Sequence, residues 1–334
     1  LMHGDWLSAS GDPKNAHLLQ LDGTSESLLL FKADVLDRDA LAAAVAGCEG
    51  VFHVASPVPA DQSEVLSPAV KGTLNVLQAC SANNVQKVVV VSSTAAVHYN
   101  PSWPQGRIKD ESCWSDKNFC IKNQNWYTAA KTIAEETALE YGEKNELLVV
   151  TVCPCIVLGP LLQPLINTTS EFLIYIITGD VAAIAVGSAL TTPLEPCSIG
   201  PGPLVLQSSG VGGEGGGESA TRWTWMVTRY VKVPSETPWM LLKPRVASAS
   251  ETSVVASATN AVTASLRPQS GGPRAMKNLP WNIVDVRDVA DALLLVYEKV
   301  ESSGRYICAP DRISTNDIVN LLKKSYPNYN YVNW

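Results

Sequence analysis

The sequence predicts a doubly wound α/β architecture, a parallel sheet with helices on both faces, joined to a small C-terminal lobe. The apolar, β-branched runs 50–55, 86–92 and 147–152 show no polar alternation, the pattern of strands buried on both faces. They alternate with helical stretches at 38–46, 63–82 and 125–141, as crossovers between parallel strands require. The 334 residues are 46% hydrophobic, enough to bury a substantial core.

The chain opens differently from such a fold. A dinucleotide-binding half begins with an apolar strand and a glycine-rich turn whose N–H groups meet a pyrophosphate at a helix N-terminus. Leu1 to Gly11 contains neither. The run 28–33 would then be the third strand, so the first strand, phosphate loop and first helix are expected to be missing, with strand edges left exposed. At its end, Asp34-Val35-Leu36-Asp37 places a carboxylate and its flanking backbone where an adenine amino group could be bound. Asp37 is expected to cap helix 38–46.

Strand 50–55 leaves through Ala55-Ser56-Pro57, small residues that allow close approach of a ligand and that equally suit a plain strand exit. Strand 86–92 ends in the hydroxyls of Ser92, Ser93 and Thr94. The stretch 100–123 is long and polar, and loops of that length inside a domain are usually functional. Its Trp103 and Trp114 suit either a site wall or ordinary packing. Strand 147–152 runs into Pro154-Cys155-Ile156, where the proline is expected to end it. A helix at 170–178 follows.

Tyr127 and Lys131 are four residues apart at the start of helix 125–141, hence on one face about one turn apart. A tyrosine hydroxyl has an unperturbed pKa of about 10 and works as an acid or base near neutrality only if a cation favours its phenolate. Lys131 is placed to supply that cation. Ligands of parallel sheets bind at the carboxyl ends of strands, where Ser93 lies. Serine, tyrosine and lysine in that order suit hydride transfer at a carbonyl. The serine would hold the oxygen, the tyrosine would move its proton, and the lysine would tune the tyrosine and hold a cofactor ribose.

These residues, with Asp12-Pro13-Lys14-Asn15-Ala16-His17-Leu18, Lys32-Ala33-Asp34-Val35-Leu36-Asp37, Val51-Phe52-His53-Val54-Ala55-Ser56-Pro57, Lys122-Asn123-Gln124-Asn125-Trp126-Tyr127 and Asp285-Val286-Arg287-Asp288-Val289-Ala290, resemble an extended short-chain dehydrogenase/reductase. The resemblance is to the plant cinnamoyl-CoA reductase and dihydroflavonol reductase group. It implies a Rossmann-like fold, NADP as cofactor with NAD as the alternative, a small-molecule carbonyl substrate, and Ser93, Tyr127 and Lys131 as catalytic residues. Ser93 fits the family's serine better than Ser92 by its distance from Tyr127. The resemblance further assigns Lys14 to the extra phosphate of NADP in place of the family's arginine, and Asp34 and Val35 to the adenine. Ala55, Ser56 and Pro57 would face the ribose and pyrophosphate, and Ser92, Tyr127, Lys131 and Pro154 the nicotinamide end. Between the tyrosine and the lysine this group usually has Cys-Tyr-Gly, where Thr128-Ala129-Ala130 stands. A flavonoid-type ketone reductase is therefore the alternative enzyme, and an inactive isoform serving as an interaction partner the alternative outside enzymes.

The net charge of −7 argues against a nucleic-acid or anionic-membrane surface. Eight cysteines without C-x-x-C spacing read as buried thiols of a reducing compartment, and the four scattered histidines give no metal-ligand spacing. With no signal-peptide pattern at the start, a cytoplasmic location is expected. The apolar reach 147–166 is broken by Pro154, Pro160 and Pro164, unlike a membrane span.

From 180 to 270 the chain is rich in Gly, Ser, Thr, Ala and Pro and lacks sustained periodicity, so a disordered insertion is expected there, with a functional lid as the alternative. The expected organisation is an incomplete nucleotide-binding domain at 1–179, the insertion at 180–270, and the remainder of the fold with the substrate lobe at 271–334. In that last part Asp285 and Asp288 are expected at a helix entry, Gly304-Arg305-Tyr306-Ile307-Cys308 as a strand of the small lobe, and Ser314 as the cap of a final helix.

Overall fold

The computed structural model describes residues 18–20, 28–31, 33–56, 65–161, 166–178, 278–328 and 331. The expected insertion at 180–270, the opening residues 1–11, Lys14 and Pro57 lie outside them. After a 3-10 turn at Leu18–Gln20 come α1 (Arg38–Val45), β1 (Gly50–His53), α2 (Leu66–Ala82), β2 (Lys87–Val91), α3 (Ala95–His98), α4 (Lys117–Lys122), α5 (Trp126–Asn145), β3 (Leu148–Pro154), β4 (Ile156–Leu158) and α6 (Thr168–Thr178). The last part contributes β5 (Pro280–Asp285), α7 (Val286–Glu298), β6 (Gly304–Cys308), β7 (Arg312–Ser314) and α8 (Thr315–Ser325). No helix among the described residues is long and apolar enough to cross a membrane.

The main sheet has the order β1-β2-β3-β6, every pair parallel. Strand β6 was expected in the small lobe but joins this sheet at its end, with Pro154 opposite Cys308. The alternation of side chains along a strand divides β2 between two cores. Val88 and Val90 pack with Leu41, Val45, Leu77 and Val149 under the helices of one face. Val89 packs with Val150, Val152 and Val296 under α7 on the other. Helices on both faces make the doubly wound arrangement, and the continuous apolar strands follow from it.

Several boundaries differ from the sequence reading. The expected strand 28–33 is absent among the described residues, where only Ala33 forms an isolated bridge. A strand requires a continuous run of pairing, and a single bridge does not supply it. Strand β3 continues through Pro154 instead of stopping short of it. Its pairing with β6 leaves that proline's carbonyl as an acceptor, which is all that a strand end needs. The chain then turns at Cys155 into β4, which belongs to a second sheet of order β4-β5-β7. That sheet packs with α6 and α8 through Ile176, Trp281, Ile318 and Val319, the ring of Phe172 meeting Trp281 edge-on at 4.7 Å.

The caps read from the sequence are present. Asp37 accepts from the backbone N–H groups of Asp39 and Ala40, Asp285 from that of Arg287, and Ser314 from that of Asp317. The described cysteines carry free thiols, five of them buried. Leu77 is fully buried where α2 meets the sheet. Leu77→Ala is expected to lower stability by about 2–5 kcal/mol, read as a fall in the urea midpoint at unchanged denaturant slope.

Candidate active site

Backbone pairing carries the end of β2 past its last strand residue. The N–H of Ser92 donates to the Val152 carbonyl at 2.8 Å and that of Thr94 to the Pro154 carbonyl at 3.0 Å. The intervening Ser93 is held at a turn, its Oγ accepting from the Ala95 N–H at 3.1 Å. Opposite, the Asn125 side chain accepts from the Thr128 N–H and starts α5, so Tyr127 falls in the first turn and Lys131 in the second. The Ser93 hydroxyl lies near enough to the Tyr127 phenol to lower its proton affinity. Ser93 and Tyr127 thus lie near each other at the carboxyl end of the sheet, with Lys131 one turn further along α5.

Ser92 and Ser93 separate clearly. Ser92 is buried and donates to Glu135 Oε2 at 2.7 Å, while Ser93 faces the tyrosine. The electrostatics differ from the expectation in one respect. Burial pushes the Tyr127 phenol up, and the lowering influence is the neighbouring Ser93 hydroxyl rather than Lys131. Desolvation brings the Lys131 ammonium down to about 8, opposed by Cys153 and Glu135. Lys131 is buried, and its one hydrogen bond among the described residues runs to the Val91 carbonyl at 3.4 Å. An ammonium has three donors. Lys131 also lines a small cavity.

That cavity is lined by His53, Ala55, Ser56, Thr73, Lys131 and Glu135 among others, and leaves about 20 Å³ for the centre of a water molecule. Ala55 and Ser56 thus lie beside Lys131 along this cavity. Asp34 and Val35 are not part of it. Asp34 accepts from the Leu36 N–H within its own turn, and the Val35 carbonyl accepts from Asn75. Pro154 contributes through its carbonyl, which anchors Thr94. Among the described residues no group of three or more His, Cys, Asp or Glu could hold a metal.

The sequence reading missed the most heavily bonded group here. Glu135, one turn beyond Lys131, accepts from Ser92, from Thr151 Oγ1 at 2.7 Å, and from Arg305 Nε and Nη2 at 3.0 and 3.1 Å. Arg305 arrives from β6, donates to the carbonyls of Cys113 at 2.7 Å and Glu111 at 3.2 Å, and lies 3.6 Å above the Trp114 ring. Trp114 is thus a platform for Arg305. Trp103 packs against Val97, Cys113 and Cys153. The spacing of Glu135 from Lys131 was the available signal, while an arginine inside an apolar strand was the signal for its partner.

His53 is buried, bonded through Nε2 to Thr73 Oγ1 at 3.1 Å, and held neutral down to about 3 by desolvation and by Lys131. Its folded value lies below the unfolded value of 6.5, so the unfolded chain takes up the proton first. Stability from this residue is full above about pH 6.5 and is lost as pH falls toward 3, at up to roughly 1.4 kcal/mol per pH unit. His98, lowered to about 4 by its burial, Lys109 and Arg312, acts in the same direction. Urea midpoints measured from pH 7 to pH 4 should fall less steeply in His53→Gln than in the wild-type chain.

The pattern of the NAD dependent epimerase/dehydratase family matches residues 7–187, more than half of the chain. Cinnamoyl-CoA reductase 1 of Petunia hybrida is 31% identical over 318 residues, covering 95% of this chain and 68% of that protein. Cinnamoyl-CoA reductase CAD2 of Medicago truncatula is 45% identical over 176 residues, 50% of this chain and 54% of that one. The chain thus spans from half to two thirds of the length of these relatives. Vestitone reductase from alfalfa has the same fold, with a TM-score of 0.61 at 23% identity over 97% of this chain and 74% of that chain. The chain belongs to the NAD dependent epimerase/dehydratase family.

Proposed function

We propose that the protein is an NADP-dependent reductase acting on the carbonyl of a phenylpropanoid or related substrate, most like a cinnamoyl-CoA reductase. The observation that carries this reading is the Ser93–Tyr127 hydroxyl pair at the carboxyl end of the sheet, with the Lys131 ammonium one helical turn away. Family membership brings the nicotinamide cofactor, and relatives named as cinnamoyl-CoA reductases support the substrate class. The preference for NADP follows from the resemblance and is assigned to Lys14.

In this reading Ser93 donates its hydroxyl proton to a hydrogen bond with the substrate carbonyl oxygen. Tyr127 transfers its phenolic proton to the same oxygen as negative charge builds there. A bound reduced nicotinamide supplies the hydride. Lys131 uses its remaining donors on the cofactor ribose. The raised pKa of the Tyr127 phenol keeps it protonated and able to act as the acid.

Tyr127→Phe removes the proton donor and leaves the ring in place. The expected result is a fall in kcat of about 10²–10⁴-fold with the NADPH dissociation constant little changed, measured by NADPH consumption and by protein-fluorescence quenching. A folded wild-type chain that binds no NADPH would overturn the reductase reading.

A further inference from the structure

The Glu135–Arg305 pair lies outside the proposed chemistry yet bonds to segments on both sides of Ser93. Glu135 has none of its side chain exposed and Arg305 only 6%. The carboxylate binds Ser92, the immediate neighbour of Ser93, and sits on the same helical face as Lys131 four residues earlier. Both line the same cavity. The guanidinium also reaches the Ala96 carbonyl at 3.5 Å, and the Ala96 N–H in turn donates to the Ser93 carbonyl at 2.9 Å. Ser93 is therefore flanked by two segments, each tied to one member of the pair.

We propose that Glu135, clamped by Arg305, is a positioning residue: through Ser92 it fixes the serine end of β2 against α5, and it supplies the counter-charge one turn from the Lys131 ammonium. The β6 strand becomes part of the site by this route, although it brings no group to the substrate. What the positioned group accomplishes rests on the reductase reading. Its electrostatic consequence does not.

Titratable groups approach Lys131 from each packed element: Glu135 on its own helix, Cys153 on β3 and His53 on β1. Cys153 and then Glu135 raise the lysine value against its burial, and of the two Glu135 is held in an ion pair. Loss of the carboxylate should therefore lower the proton affinity of Lys131. Removing one member of a buried pair strands the other charge, whereas neutralising both is often tolerated. The double variant Glu135→Gln/Arg305→Met thus provides a folded chain in which the counter-charge is gone even if Glu135→Gln alone does not fold.

The test is a pH titration of lysine resonances in the 334-residue chain labelled with [13Cε]lysine, Lys131→Met identifying the signal. The wild-type Lys131 midpoint is expected near 8. In Glu135→Gln and in the double variant it should fall by about one pH unit or more. A midpoint unmoved in the folded double variant would overturn the proposal, since a purely architectural pair leaves the lysine unaffected once folding is retained. The readout needs no carbonyl reduction: a shifted midpoint in a chain that binds no NADPH supports the positioning role while removing the reductase reading.

Discussion

A carboxylate with none of its side chain exposed is tolerated in a protein only when it is paired and fully hydrogen-bonded. Glu135 meets that demand with Arg305, Ser92 and Thr151, and meeting it dictates much of the surrounding geometry. The arginine must cross from β6, 170 residues along the chain. Its guanidinium must be enclosed in turn, by the Cys113 and Glu111 carbonyls and the Trp114 face. The polar stretch after β2 is thereby fixed against the sheet. Such a pair adds little net stability compared with apolar residues of the same shape, so its value lies in specifying one arrangement.

The site itself results from two unlike supports. Parallel pairing of β2 with β3 extends beyond the strand and holds Ser93 through backbone bonds on either side of it. The side-chain cap at Asn125 starts α5 and so places Tyr127 in its first turn, near that serine, and Lys131 in the next. Burial then works against every charged form in the group, raising the phenol and lowering the ammonium. The chemistry needs a neutral phenol that can lose its proton and a cation that persists beside it. Cys153 and Glu135 oppose the effect of burial on the ammonium.

The parts legible in the sequence were those that depend on neighbours along the chain. Apolar runs gave β1, β2 and β3, single side chains gave the caps at Asp37, Asp285 and Ser314, and a spacing of four gave Tyr127 and Lys131. The parts that depend on distant partners were not legible. The placement of β6 in the main sheet, the end of β3 at Pro154 and the partnership of Glu135 with Arg305 all arise from pairing across long separations. The run at 28–33 failed in the complementary way, having strand-like residues and only the single bridge at Ala33. Asp34 also accepts from its own turn and the Val35 carbonyl from Asn75, bonds that the resemblance did not bring to view.

That β6 completes the site through one buried ion pair is most directly tested by a double-mutant cycle between Glu135→Gln and Arg305→Met, read by urea denaturation. The two side chains are in contact, and the expected coupling is about 2 kcal/mol or more, with the double variant more stable than the sum of the single losses implies. Additive losses would mean that the two residues stabilise the fold independently, and would contradict a site held together by their pairing.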